Sequence, residues 1–160
     1  RIKVRVHPES IIPAMVSHRD GGSIAHLGAP DMRHAIGYAL HWPERAALPV
    51  ATLDLAALGS LTFRPPDEIR WPALRIAREV MQAGGAAGAV LNAAKEQALD
   101  DFIAGRLRFP DMAAAVEATL TALSARDGFS TPPADLATVL NWDQQARQFA
   151  AGWAARNGAR

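Results

Sequence analysis

The sequence contains no cysteine. Disulfides, thiolate metal sites and a cysteine nucleophile are therefore excluded, and the composition fits a reducing compartment. Lysine is scarce too: Lys3 and Lys95 are the only lysines among 17 basic residues. With 16 acidic residues the formal net charge is +1, so no charge excess points to nucleic acid or an acidic membrane surface. No apolar run reaches the roughly 20 residues a membrane span needs, and no signal peptide is visible. There is no GxGxxG or GK[ST] phosphate loop and no HExxH zinc spacing. There is no internal repeat and no low-complexity tract.

What remains is the profile of a soluble globular protein. The chain has 160 residues, 49% apolar and 21% charged, which suits one ordinary domain or two small ones. A chain of this length buries roughly two thirds of its unfolded surface, so a real core is expected. The sequence opens on Arg1, inside what reads as a strand already under way, and this predicts a longer parent polypeptide.

Ile2 to Val6 alternates apolar and charged residues, the pattern of a half-buried strand with Ile2, Val4 and Val6 inward. Ile11 to His18 is a second extended stretch, its first half weakened by Pro13. Asp20-Gly21-Gly22 is a hairpin signal, because glycine accepts the positive φ of the turn. Ser23 to Leu27 is the return strand, broken at Gly28 and Pro30. Asp31 stands where an N-cap would, and Met32, Ile36 and Leu40 follow at helical spacing, flanked by Ala35 and Ala39. Trp42-Pro43 stops that helix.

Residues 44–66 read as a connector anchored by Leu53, Leu55 and Leu58, with a short strand over Ser60–Phe63 and a stiff Pro65-Pro66 end. After Asp67 the period becomes helical. Leu74, Ala77 and Met81 mark one helix, ended by Gly84-Gly85. Val90, Leu91, Ala94, Ala98, Phe102 and Ile103 mark a longer one with Gly105 at its stop. Asp111 is placed to cap a third, over Met112, Ala115, Val116, Leu120 and Leu123. Thr119 interrupts that face, its hydroxyl within reach of a carbonyl one turn earlier. Asp135–Leu140 is a short turn of helix, and Asp143–Arg156 the last helix, with Ala146, Phe149, Ala150 and Trp153 on one face. The expected fold class is α+β: antiparallel strands of a partial catalytic sheet with a helix, then a small helical bundle. The domains expected are 1–43, a linker 44–66, and a bundle 67–160.

Chemistry-bearing residues concentrate between His7 and His41. His7, His18, His26, His34 and His41 show no zinc spacing and read as surface or capping histidines. The carboxylates sit mostly at turns and helix starts, where capping explains them. Asn92 reads as a buried, hydrogen-bonded residue, with Lys95 and Glu96 solvated. Trp42, Trp71, Trp142 and Trp153 read as core or interface anchors. The one candidate functional surface is Ser10–Met32.

That stretch carries a family resemblance. His7-Pro8-Glu9-Ser10-Ile11-Ile12-Pro13-Ala14-Met15-Val16 resembles a family segment HPQSVIHSMV. Asp20-Gly21 matches its DGS turn. Ile24-Ala25-His26-Leu27-Gly28-Ala29-Pro30-Asp31-Met32-Arg33 resembles LAQLGxPDMRTPI, and Trp42-Pro43 follows as expected. Leu53-Asp54-Leu55 and Leu61-Thr62-Phe63 fit the family's linker. Leu91-Asn92-Ala93-Ala94 with Glu96 resembles LNAANE, and Phe109, Asp111, Val139-Leu140 and Asp143 continue the match. The family is 1-deoxy-D-xylulose 5-phosphate reductoisomerase, and the likeness covers nearly the whole chain.

The resemblance implies an NADPH- and Mg²⁺- or Mn²⁺-dependent enzyme of non-mevalonate isoprenoid synthesis, cytoplasmic and homodimeric, acting on a sugar phosphate. Neither nucleic acid nor a membrane is expected as a partner. It places the cofactor loop, the metal carboxylates and the phosphate-binding residues upstream of Arg1. Within this segment it implies no catalytic residue and no metal ligand. It gives Ser10, Pro30 and Met32 a place facing substrate and nicotinamide. The chain alone is then expected to be inactive and to bind no cofactor. Departures from the family pattern fall at Glu9, Pro13, Ala14, His26, His34, Ala35 and Lys95; the family's second histidine falls on Pro13. They keep two other readings in view: a diverged, non-catalytic dimerisation or partner-binding module, and a related NADPH-dependent oxidoreductase with another substrate.

Overall fold

Asp20 and Gly21 reverse the chain. In a computed structural model, which describes residues 2–158, the Asp20 carboxylate accepts the Gly22 N–H at 2.9 Å and Gly21 takes φ 90°. The flanking segments pair as antiparallel strands β1 (Ala14–Ser17) and β2 (Ser23–His26), in register from Ala14↔His26 to Ser17↔Ser23. β1 begins just after Pro13, which has no N–H to give a ladder. The pairing direction continues past β2, where Gly28 N–H donates to the Ile11 carbonyl at 3.1 Å.

Helix α1 (Arg33–His41) follows. The cap position itself is Met32, one residue beyond the expected Asp31, yet the Asp31 carboxylate still takes the Arg33 N–H at 2.8 Å. A short helix α2 (Leu55–Leu58) is capped by Asp54, whose Oδ1 accepts from Ala56 and Ala57.

The chain divides into two units, Arg1–Pro66 and Asp67–Arg160. Several expectations for the first are corrected. Residues 2–6 form no strand; Val6 makes an isolated bridge with Arg64, and Ile2 is exposed. Ser60–Phe63 forms none either. A strand needs a neighbour along its length, and here only the single Val6–Arg64 pair meets. The Met32–Ile36–Leu40 stripe of α1 faces solvent rather than a core. The buried residue of α1 is Gly37, against which Leu48 packs so closely that a Cβ would lie 2.6 Å from it.

The second unit holds α3 (Ala73–Ala83), α4 (Ala87–Ile103), α5 (Phe109–Ser124) and α6 (Leu136–Asn157). α4 packs on α5 and α6, α5 on α6, and α3 on α4, a bundle with two apolar clusters. One joins Ile76, Ala94, Ala98, Leu107, Ala115 and Ala150; the other joins Val90, Leu123, Phe129, Trp142 and Ala146. Small alanines on facing helices let the backbones approach closely. Thr119 is fully buried and its hydroxyl donates to the Ala115 carbonyl at 2.7 Å, the bond its position predicts.

Here too the sequence reading is corrected in places. The inward residue of α3 is Ile76, while Met81 is exposed: the helix turns a neighbouring stripe to the core. Phe102 and Ile103 at the end of α4 are exposed. Asp111 lies inside α5 as its third residue, closing a capping box with Arg108. The two segments expected after Asp135 are one 22-residue helix, because no proline or glycine interrupts 140–143 and Trp142 is buried there. Asn92 is exposed and donates to Glu96. Of the tryptophans expected as core or interface anchors, Trp142 is in the core, while Trp42 and Trp71 are exposed and so not core residues.

Candidate functional site

A cavity of about 680 Å³ lies wholly in the first unit. Ile12, Pro13, Ala14, Ala29, Pro30 and Met32 make its apolar wall. Ser10, Asp31, Tyr38, Arg5 and Arg45 supply polar groups, and three histidines, His7, His26 and His34, border it. The strand end after Pro13, the break at Gly28–Pro30 and the start of α1 bring these residues together. Ser10, Pro30 and Met32, the residues the family resemblance singles out, all lie on this one cavity.

Ser10 is held in an unusual backbone state. Its φ is 54°, in the left-handed region that non-glycine residues rarely take. Its N–H donates to the His7 carbonyl at 3.1 Å, which closes a tight turn through Pro8 and Glu9. Such backbone strain gathers where a side chain must be aimed.

His7 anchors that turn. Its Nε2 accepts the Ile11 N–H at 3.1 Å, so Nδ1 carries the proton, and Nδ1 donates to the Thr62 carbonyl at 2.8 Å. Its ring stacks on Phe63 at 4.5 Å, and Nδ1 is 3.0 Å from a Glu9 carboxylate oxygen. The other Glu9 oxygen accepts the Thr62 N–H at 3.0 Å, and that bond holds the Glu9 carboxyl below its ordinary value. The His7 side chain is nearly buried. It is a structural brace that caps backbone groups, the capping rather than the surface reading of this histidine.

The cavity's one carboxylate is committed. Asp31 accepts from the Arg33 guanidinium through both oxygens, Nε at 3.0 and 2.9 Å. Those hydrogen bonds hold its carboxyl down at about 2. Among the described residues Arg5 and Arg45 form no ion pair with a carboxylate; the Arg45 guanidinium lies 4.3 Å over the Tyr38 ring. The lining is therefore basic on balance and suits an anionic ligand.

Comparison with known proteins decides the family. The family model for the DXP reductoisomerase C-terminal domain matches residues 27–149. The chain belongs to the DXP reductoisomerase C-terminal domain family. It is 75% identical over 154 residues to the 1-deoxy-D-xylulose 5-phosphate reductoisomerase of Paracoccus denitrificans, covering 96% of this chain and 39% of that protein. Identity to the Ruegeria pomeroyi reductoisomerase is 64%, over 92% of this chain and 38% of the relative. The reductoisomerase of Zymomonas mobilis in complex with NADPH superposes with a TM-score of 0.83 at 39% identity, covering 95% of this chain and 39% of that one. A reductoisomerase in complex with NADPH, fosmidomycin and magnesium gives 0.81 at 34% identity, over 97% of this chain and 40% of that one. The chain thus spans about two fifths of the length of these relatives.

The match to the DXP reductoisomerase C-terminal domain begins at residue 27, so the cavity draws on residues both before and within the matched span. Among the described residues no three His, Asp or Glu side chains gather as a metal would require, and Asp31 is already paired. The residues present do not fit the divalent ion that the family implies. The family resemblance singles out Ser10, Pro30 and Met32, which line one cavity; nothing in the sequence signals the meeting of His26 and His34. Their rings stand edge to face at 5.7 Å, although the two residues are eight apart in sequence. Both are departures from the family pattern, and glycine lies between them.

Proposed function

We propose that the protein carrying this chain converts 1-deoxy-D-xylulose 5-phosphate to 2-C-methyl-D-erythritol 4-phosphate, using NADPH and Mg²⁺ or Mn²⁺, in the cytoplasm as a homodimer. The observation that carries this is the 75% identity to a reductoisomerase over 96% of the chain. Residues 1–43 would be the end of the catalytic and dimerisation domain, 44–66 a linker and 67–160 the carboxy-terminal bundle. Ser10, Pro30 and Met32 would face substrate and nicotinamide. The apolar wall of Pro30 and Met32 would exclude water beside the reacting carbon, and the basic lining would favour a phosphorylated substrate. NADPH, when bound, supplies the hydride.

The exposed pair Val16 and Ile24, opposite each other in the β1–β2 register, supports a partner on the hairpin and so a homodimer. No helix of the described residues is long and apolar enough to cross a membrane. The chain by itself would be inactive and bind no NADPH, because it carries neither a phosphate loop nor a metal ligand set. The test is NADPH oxidation by the full-length protein with the sugar phosphate and Mg²⁺, beside the same assay on residues 1–160. Turnover only in the full-length protein is expected; none in either sinks the proposal.

A further inference from the structure

Ser10 is exposed and lines the cavity at φ 54°, a conformation in which a residue with a Cβ is strained. Its own side chain does not hold it there, since the hydroxyl makes only a 3.5 Å contact with the His7 carbonyl. Its neighbours do. The Ser10 N–H donates to the His7 carbonyl, and the next N–H, that of Ile11, donates to His7 Nε2. His7 thus grips the backbone on both sides of the Ser10 Cα. Ile11 passes the constraint on, because its carbonyl accepts the Gly28 N–H two residues before Pro30.

His7 is itself held from far along the chain. Its Nδ1 donates to the carbonyl of Thr62, 55 residues on, and its ring lies on Phe63 with the planes 11° apart. Glu9 takes the Thr62 N–H. Val6 and Arg64 exchange two backbone hydrogen bonds, each 2.9 Å. Thr62, Phe63 and Arg64 are not among the residues that line the cavity. Their contacts nevertheless converge on the residues that set the Ser10 turn. Without them Ser10 would relax to negative φ, the ordinary basin of an L-residue, and its Cα–Cβ bond would swing away.

We propose that His7, clamped by Thr62 and Phe63, is a positioning residue for Ser10. It fixes the left-handed turn that presents the Ser10 hydroxyl to the sugar phosphate, so the end of the 44–66 connector works for the site without touching a ligand. The inference rests on the reductoisomerase reading above, in which Ser10 faces the substrate. Losing the brace costs aim rather than a contact of its own.

The test is steady-state kinetics of the full-length protein with 1-deoxy-D-xylulose 5-phosphate, NADPH and Mg²⁺, run as a double-mutant cycle. Ser10→Ala should lower kcat/KM for the sugar phosphate roughly tenfold, the worth of one hydrogen bond to the ligand. His7→Ala should lower it by a similar factor. In the Ser10→Ala background His7→Ala should cost less than about twofold more, because the hydroxyl it aims is already gone. Its loss of thermal stability should be the same in both backgrounds, which separates aim from folding. Should His7→Ala fail to fold, Phe63→Leu removes the stack while leaving the hydrogen bonds, and should show the same dependence on Ser10 with a loss of roughly threefold. An equal kinetic loss with and without the Ser10 hydroxyl overturns the inference, since His7 would then be a brace only. Wild-type kinetics in Ser10→Ala also overturn it and leave the reductoisomerase reading intact. A wild-type protein without turnover overturns the reading, and the inference with it.

Discussion

The two units put their apolar residues to opposite uses. In the second, Val90, Leu123, Trp142 and a set of alanines are buried in two clusters. In the first, Ile11 is the one large apolar residue that is buried, while Met15, Val16, Ile24, Ile36 and Leu40 face outward. Yet the first unit holds the cavity, the strained Ser10 and the histidines. The second unit also leaves Ile69, Met81, Ile103 and Leu136 exposed, but it does so around a buried core. A thinly packed segment with buried polar braces is shaped by what it meets, and its apolar surface is available for neighbours.

The sharpest way to break this comparison is to truncate one leucine in each unit. Leu123→Ala, at full burial, should cost about 2–5 kcal/mol in denaturant unfolding of the chain. Leu40→Ala, on a residue 77% exposed, should change it by less than about 0.5 kcal/mol. Equal effects would mean that the first unit has a core the structure does not show.

A smaller effect separates the ion pairs. Asp101 is 2% exposed, and its carboxylate accepts from Arg106 Nε at 2.8 Å and from Gln97 at 3.4 Å. It ties the end of α4 to the loop that leads into α5. Asp101→Ala should destabilise the second unit by about 1–3 kcal/mol, read by faster hydrogen exchange at Arg106 and Leu107, whose amides bond the Asp101 carbonyl. The Asp31–Arg33 pair of the first unit is surface-exposed, so its removal should leave global unfolding nearly unchanged.

Acid should reveal that surface pair in a different way. The Asp31 carboxyl is depressed in the folded state, from 3.8 to about 2. Its contribution to stability is fully present above about pH 4 and is lost as the pH falls through about 2. Carboxyl NMR of Asp31 should titrate in that window, with the start of α1 loosening as it protonates. A titration at the ordinary carboxylate value would remove the Arg33 clamp from the account.

How much of this was legible in the sequence follows the same division. The hairpin could be read from Asp20-Gly21-Gly22 because turn chemistry is local. Ala115, Val116 and Leu123 could be read from period alone because the bundle really buries that face. The stripe of Met32, Ile36 and Leu40 has the same period, and period cannot say whether a partner covers it. The single long α6 was split because a stretch of Asn141, Trp142 and Asp143 looks like a break until Trp142 is seen to be buried. Ser10, Pro30 and Met32 came from family likeness, since nothing about a lone serine, proline or methionine announces a pocket. The His26–His34 encounter needed the strand register and the empty space at Gly28, which only three dimensions supply.

The central claim is that the first unit supplies the wall of a reductoisomerase pocket while the second stands as a bundle of its own. Met32, 71% exposed and on the cavity, tests it most directly. Steady-state kinetics of Met32→Ala in the full-length protein should show KM for NADPH or for the sugar phosphate raised about tenfold, the loss expected when a methionine contact is removed from a buried ligand, with thermal stability unchanged. Kinetics identical to wild type would contradict the account.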